Sequence, residues 1–237
     1  MKELLLTAKE NGLFLLTCLG IFLAIVLVAW LAEHFLTKSK KNISSARRVS
    51  FIAMFGAIAA ALMYIEIALP FAPPFYQIDF SEIPVLICTF YLGPVSGVIC
   101  EFVKVLLKLL LKGTSTAFVG DFANFVVGCA LVLPASIIYH CRKTRATAIW
   151  GMVAGTLIMT VFGSAFNAIY LLPKFAQLYG MPLEAIIGMG TDVNAHITSV
   201  STLVLYAVVP FNLLKGVLVS VVTLLLYKRV ERLLRMK

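Results

Sequence analysis

The sequence predicts an all-α membrane protein, on three observations: its composition, its apolar runs of span length, and the placement of its basic residues. Hydrophobic residues make up 61% of the 237 and charged residues only 13%, with a mean hydropathy of +1.00. Soluble domains use roughly 45–50% apolar and about 25% charged residues, so a water-soluble fold of this length is excluded. The apolar runs approach the ~20 residues that a helix needs to cross a bilayer core. They lack the short alternating segments of a membrane barrel.

Leu13 to Leu31 is the first expected span, with Trp30 and His34 at an interface. It has neither a strongly basic start nor an Ala-x-Ala site, so it reads as an uncleaved helix and not as a signal peptide. The linker that follows holds Lys38-Ser39-Lys40-Lys41 and Arg47-Arg48. Basic linkers face the cytoplasm, which puts the N-terminus outside. Residues 1–45 are thus an added helix and linker ahead of a membrane domain over 46–237.

Within that domain, Phe51 to Leu69 is a span that Pro70, Pro73 and Pro74 break into an outer loop. Ser81 and Glu82 open a short span over Ile83 to Leu92, and Gly93-Pro94 turns the chain. Val95 to Leu111 returns outward, Asp121 to Tyr139 inward and Ala146 to Leu172 outward. Pro173 to Ser199 is a long outer segment with room for a short interfacial helix. Val200 to Tyr227 is the last of seven spans and leaves the C-terminus in the cytoplasm. Basic residues fit this topology: five in 38–48, three in 142–145 and five in 228–237, or 13 of the 20. The net charge of +9 is therefore a topological signal and not one for nucleic acid.

Charged and polar groups at membrane depth are costly and mark functional candidates. Glu101 and Lys104 lie one turn apart, either as a self-neutralising pair that holds the bundle or as a substrate contact. Lys108 and Lys112 are expected to snorkel outward. Asn212 and Lys215 share one helix face beyond Pro210, and Asn167 lies at a comparable depth. These three offer donors to the carbonyls and ring nitrogens of a polar aromatic ligand, or serve as interhelical contacts. Ala53, Ala57 and Ala61 form a flat strip for close packing, on a neighbour in the chain or on another membrane protein.

Catalysis finds no residues to use. His34, His140 and His196 lie near helix ends or loops without an adjacent nucleophile, and no HExxH, Walker or Cys/His metal motif occurs. No cofactor or metal is expected. The five cysteines read as small core residues.

Five blocks in order carry a resemblance: Ile78-Asp79-Phe80-Ser81-Glu82-Ile83-Pro84, Leu92-Gly93-Pro94-Val95-Ser96-Gly97-Val98, Glu101-Phe102-Val103-Lys104, Gly120-Asp121-Phe122-Ala123-Asn124-Phe125, and Pro210-Phe211-Asn212-Leu213-Leu214-Lys215-Gly216. Together, over residues 46 to 237, they resemble the riboflavin-specific S component of energy-coupling factor (ECF) vitamin transporters. The resemblance implies a six-helix substrate-binding subunit in the cell membrane, working with a transmembrane coupling subunit and two cytoplasmic ATPases. It implies that Ala53, Ala57 and Ala61 dock the coupling subunit. It further implies that Pro73 to Glu82 gates the ligand, with Asp79 at the site and Tyr76 and Phe80 over the ring, while Asn167, Asn212 and Lys215 read the ring edge. An S component for FMN, FAD or another vitamin, or a structural subunit that transports nothing, stays open. The resemblance implies nothing for the added N-terminal helix.

Overall fold

The computed structural model describes residues 12–36, 44–73, 75–114 and 116–235. Helix α1 (Gly12–Leu36) is followed by α2 (Ser45–Leu62), a two-stranded antiparallel ribbon of β1 (Ile67–Ala68) and β2 (Gln77–Ile78), α3 (Glu82–Leu92) and α4 (Pro94–Lys112). Then come α5 (Val119–Arg142) and α6 (Arg145–Phe166), which passes through a π-helical turn (Asn167–Leu171) into α7 (Leu172–Tyr179). After α8 (Leu183–Thr191), α9 (Val200–Leu203) leads through a second π-turn (Val204–Val208) into α10 (Val209–Arg235). The basic linker Lys38 to Lys41 lies outside the described residues.

Local chemistry sets the helix starts. Ser44 caps α2 by accepting from the Arg47 amide, and Pro94 sits in the first turn of α4, where its missing N–H costs nothing. Thr144 with Thr147, and Ser199 with Thr202, form capping boxes ahead of α6 and α9.

Among the described residues, five continuous helices are long and apolar enough to cross a membrane: Leu16–Phe35, Ser45–Leu62, Val119–Arg142, Arg145–Tyr179 and Val200–Leu233. Two expected spans differ from these. α4 has span length, but Glu101, Lys104, Lys108 and Lys112 make it polar. α3 has 11 residues, all buried, and at 1.5 Å per residue it reaches only about 16 Å, half a hydrocarbon core. It is the centre of the bundle, wrapped by α2, α4, α5 and α10. An 11-residue apolar run fits a buried helix as well as a span, which is why the sequence reads it as one.

Three other boundaries shift. The loop expected to begin at Pro70 starts at Met63 and folds as a ribbon, with Ile67 opposite Ile78 and Ala68 opposite Gln77. The helix expected to stop before Pro173 runs on to Tyr179. Each π-turn ends two residues before a proline, Pro173 or Pro210, so the wider turn absorbs the ring and its missing donor. The segment 173–199, expected to be mostly loop, is largely helical.

Helices cross closely where side chains are absent. A Cβ on Gly151 would lie 2.7 Å from the Ala135 carbonyl and one on Gly155 2.6 Å from that of Leu131, so α5 and α6 pack backbone to backbone. Gly56 likewise turns α2 toward Val103 on α4. α1 packs on α4 and α5 through Phe22, which meets Phe102 and Phe125 at 4.7 and 5.7 Å, and through the fully buried Ala29. Its Glu33 carboxylate accepts from Arg48 at 3.1 Å and from the Val95 amide at 3.3 Å. A negative charge thereby meets the N-terminus of α4, where the helix dipole favours it.

Candidate ligand site

A cavity of about 710 Å³ opens at the end of the bundle where α2 and α4 finish and α5 begins. Its volume falls in the range of small-molecule sites, roughly 300–1,000 Å³. The ribbon loop contributes Tyr76 and Asp79, α4 Lys108, α5 Asp121 and Asn124, the first π-turn Asn167, and α10 Asn212 and Lys215.

The two π-turns bring the asparagines to one wall. Asn167 opens the first turn and donates through Nδ2 to the Gly163 carbonyl at 3.0 Å. Its Oδ1 accepts from the Tyr76 hydroxyl at 2.8 Å. Burial pushes the Tyr76 pKa up, so the phenol keeps its proton and acts as donor. Asn212 lies one turn past the second π-turn, 4% exposed, and its Nδ2 has no hydrogen-bond partner among the described residues. Gly163 leaves room for it, because a Cβ there would lie 3.1 Å from that nitrogen. Asn124 Oδ1 and Asp121 Oδ2 are also buried without hydrogen-bond partners among the described residues. The wall therefore presents one free amide donor and two free acceptors between aromatic and apolar side chains that include Tyr76, Phe75 and Phe211.

Three lysines line the cavity, and each has a carboxylate that also lines it. Lys215 Nζ lies 2.9 Å from Asp79 Oδ2, Lys112 lies 3.0 Å from Glu66, and Lys108 pairs with Asp121. Lys108 thus turns toward Asp121 instead of snorkelling away, because a carboxylate within reach is worth more than a strained path to water. Lys112 is the more exposed and lies 5.6 Å from the centre of the Tyr64 ring.

Asn167, Asn212, Lys215, Tyr76 and Asp79, all expected from sequence, meet here. Phe80 does not line the cavity; it packs against the core around α3, because the turn at Asp79 to Ser81, closed by the Ser81 amide donating to Asp79 Oδ1 at 2.8 Å, carries it to the other side. Asn124, Asp121 and Lys108 are lining residues that sequence reasoning left without a site role. The signal available was a polar pair at i, i+3 at the start of an apolar span. Glu101 and Lys104 form the expected buried ion pair, extended to Glu82 at 3.3 Å.

Ala53, Ala57 and Ala61 are all exposed on α2, while Gly56 and Ala60 on the adjacent face are buried. Among the described residues, the strip therefore meets no neighbour. Among the histidines, His140 is buried near the end of α5 and bonds the Ser136 carbonyl at 2.9 Å. Cys88, Cys100 and Cys129 are buried, whereas Cys141 is exposed.

A helical membrane bundle with an open-mouthed, charge-balanced cavity at one end defines a membrane protein that binds a small molecule. The chain belongs to the family of substrate-specific components of ECF transporters, whose model matches residues 47–227. Its members are transport subunits and not enzymes. The chain is 35% identical to the riboflavin transporter RibU of Staphylococcus aureus, over 84% of this chain and 97% of the relative. It is 31% identical to RibU of Streptococcus thermophilus, over 81% and 86%, and 26% identical to the riboflavin transporter FmnP of Bacillus subtilis, over 78% and 92%. A solved S component of a bacterial ECF transporter superposes with a TM-score of 0.63 at 34% identity, over 81% of this chain and 99% of that one.

Proposed function

We propose that this chain is the riboflavin-binding subunit of an ECF transporter. It takes up the vitamin from outside the cell and works with a transmembrane coupling subunit and two cytoplasmic ATPases that drive its release inside. The observation that carries the reading is the set of unpartnered polar atoms in the cavity wall. Asn212 Nδ2, with Lys215 one turn away, offers donors to the carbonyl and ring-nitrogen edge of a flavin. Asn124 Oδ1 and Asp121 Oδ2 offer acceptors to ribityl hydroxyls. Aromatic walls suit the flat tricycle.

The charge balance of the wall favours riboflavin over its phosphorylated forms. Each described lining lysine is already neutralised by a lining carboxylate, so a phosphate would find no uncommitted cation among the described lining residues. Six helices, the half-length α3 and the polar α4 among them, form the carrier core, and α1 adds a seventh. With the C-terminus cytoplasmic, the N-terminus and the cavity face outward. Ala53, Ala57 and Ala61, exposed and small, offer the coupling subunit a close-packing strip.

The test is the colour and ligand preference of the purified chain. A yellow preparation with a flavin spectrum, binding riboflavin more tightly than FMN or FAD, is the expected result. A colourless preparation that retains thiamin, biotin or folate overturns it. A folded chain that binds none of these would be the structural subunit.

A further inference from the structure

Lys215 is held from outside the cavity as well as within it. Its Nζ lies 2.9 Å from Asp79 Oδ2 and 3.3 Å from Glu82 Oε1. The same Glu82 oxygen lies 3.3 Å from Lys104 Nζ, and Lys104 also pairs with Glu101, one turn back on α4. Five charged side chains thus form one connected row from α4, through the start of α3, to α10. Each is more than nine-tenths buried. Only Asp79 and Lys215 line the cavity; Glu82, Lys104 and Glu101 lie behind it.

The row constrains how Lys215 can act. An ammonium has three N–H groups, and two of these face Asp79 and Glu82, leaving one for a ligand. Asp79 is committed on both sides, since its Oδ1 accepts from the Ser81 amide. Glu82 is shared: one oxygen faces both ammoniums, so its pull on Lys215 is divided. It also opens α3 directly after the ribbon loop, and so ties that loop to α4 and α10.

We propose that Lys104 and Glu82 are positioning residues for flavin capture, which hold the Lys215 ammonium at the cavity wall although neither touches the ligand. The proposal rests on the reading of the cavity as a flavin site. Without Lys104, Lys215 faces Asp79 and Glu82 as their sole cation and is drawn back from the wall. Without Glu82, Lys104–Glu101 and Lys215–Asp79 remain as two separate neutral pairs, and Lys215 keeps one anchor of two.

The experiment is a double-mutant cycle on the purified full-length protein, with riboflavin affinity read by quenching of flavin fluorescence and folding by melting of the ligand-free protein. Lys104→Met is expected to weaken riboflavin about tenfold or more, the range for a disturbed hydrogen bond to a charged group. Lys104→Arg, which keeps the charge, is expected to recover most of that loss. In a Lys215→Met background, Lys104→Met should add less than about twofold, because the residue through which it acts is gone. Full additivity of the two losses overturns the proposal and leaves Lys104 a purely structural residue. Where Lys104→Met does not fold, Glu82→Gln decides. Its expected affinity is about three- to tenfold weaker at a near-native melting temperature, and unchanged affinity overturns the proposal. Failure of the flavin reading itself is distinct: the unsubstituted chain would bind no riboflavin, or Lys215→Met would bind it normally.

Discussion

Replacing Asn212 by Leu probes the cavity most directly, because the Asn212 amide nitrogen makes no hydrogen bond to the described residues. Leu shares the branched outline of Asn and its number of side-chain heavy atoms, so the position beside Gly163 stays filled while the donor is removed. Asn212 is only 4% exposed, so the ligand atom that faced it is left without a partner against a buried stretch of the wall. Such a buried unsatisfied group costs about 1–3 kcal/mol, and every 1.4 kcal/mol is tenfold in affinity, so riboflavin binding should weaken by about 5- to 150-fold. Fluorescence quenching of riboflavin by purified protein measures the dissociation constant. Melting of the ligand-free protein checks that the fold survives, with a change within about 3 °C expected for a site that loses no internal bond. A folded variant that binds riboflavin within about twofold of the unsubstituted chain refutes the assignment of Asn212 to the ligand.

Gly163→Ala places a methyl 3.1 Å from Asn212 Nδ2 and should weaken riboflavin about three- to tenfold by displacing that side chain; unchanged affinity in the same titration shows that the amide has room to move. Ala57→Leu adds bulk to an exposed strip. Riboflavin binding by the isolated chain is expected to persist while uptake in cells with the coupling subunit and ATPases falls more than about tenfold; loss of both would instead mark misfolding. Asp121→Asn releases Lys108 from its partner and should raise affinity for FMN relative to riboflavin by about tenfold, read as a ratio of dissociation constants; an unchanged ratio removes charge balance as the basis of discrimination. Glu33→Gln breaks the link between α1, Arg48 and the start of α4. It should cost about 1 kcal/mol or less, a few degrees of melting temperature, with riboflavin affinity unaltered.

The spans were legible because an apolar run of span length is a local property of the chain, and α5 (Val119–Arg142) lies within a few residues of its expected place, Asp121 to Tyr139, while α2 is displaced by about two turns. What failed depended on contacts that no window contains. The ribbon of Ile67–Ala68 and Gln77–Ile78 has two residues per strand, too short for alternation to register. The continuation of α6 past Pro173 rests on a π-turn, which propensity does not announce. Asn167, Asn212 and Lys215 stood out because amides and ammoniums are rare in apolar helices. Asp121 and Asn124 sit at the start of a span, where polar residues raise no alarm, and so stayed part of a motif without a role. Phe80 was assigned by its place in a loop, yet an Asx-type bond at Asp79 turns it away.

The lysines carry the larger lesson. Lys104 was paired from sequence because its partner lies at i−3, which helix geometry makes visible. Lys215 and Asp79 are 136 residues apart, Lys112 and Glu66 46 apart, and periodicity cannot reach them. Physical cost supplies the missing rule: an ammonium taken from water into a helical bundle needs a carboxylate, so a lysine on this wall implies an acid on the wall or behind it. The same rule bears on recognition. A lysine so paired attracts an anion weakly, yet still donates one well-aimed N–H, and the cavity therefore selects by hydrogen-bond pattern and shape more than by charge. That selectivity would suit the proposed uncharged aromatic vitamin, and on this reading the carboxylates Asp79 and Glu82 are as much a part of ligand choice as the lysine they hold.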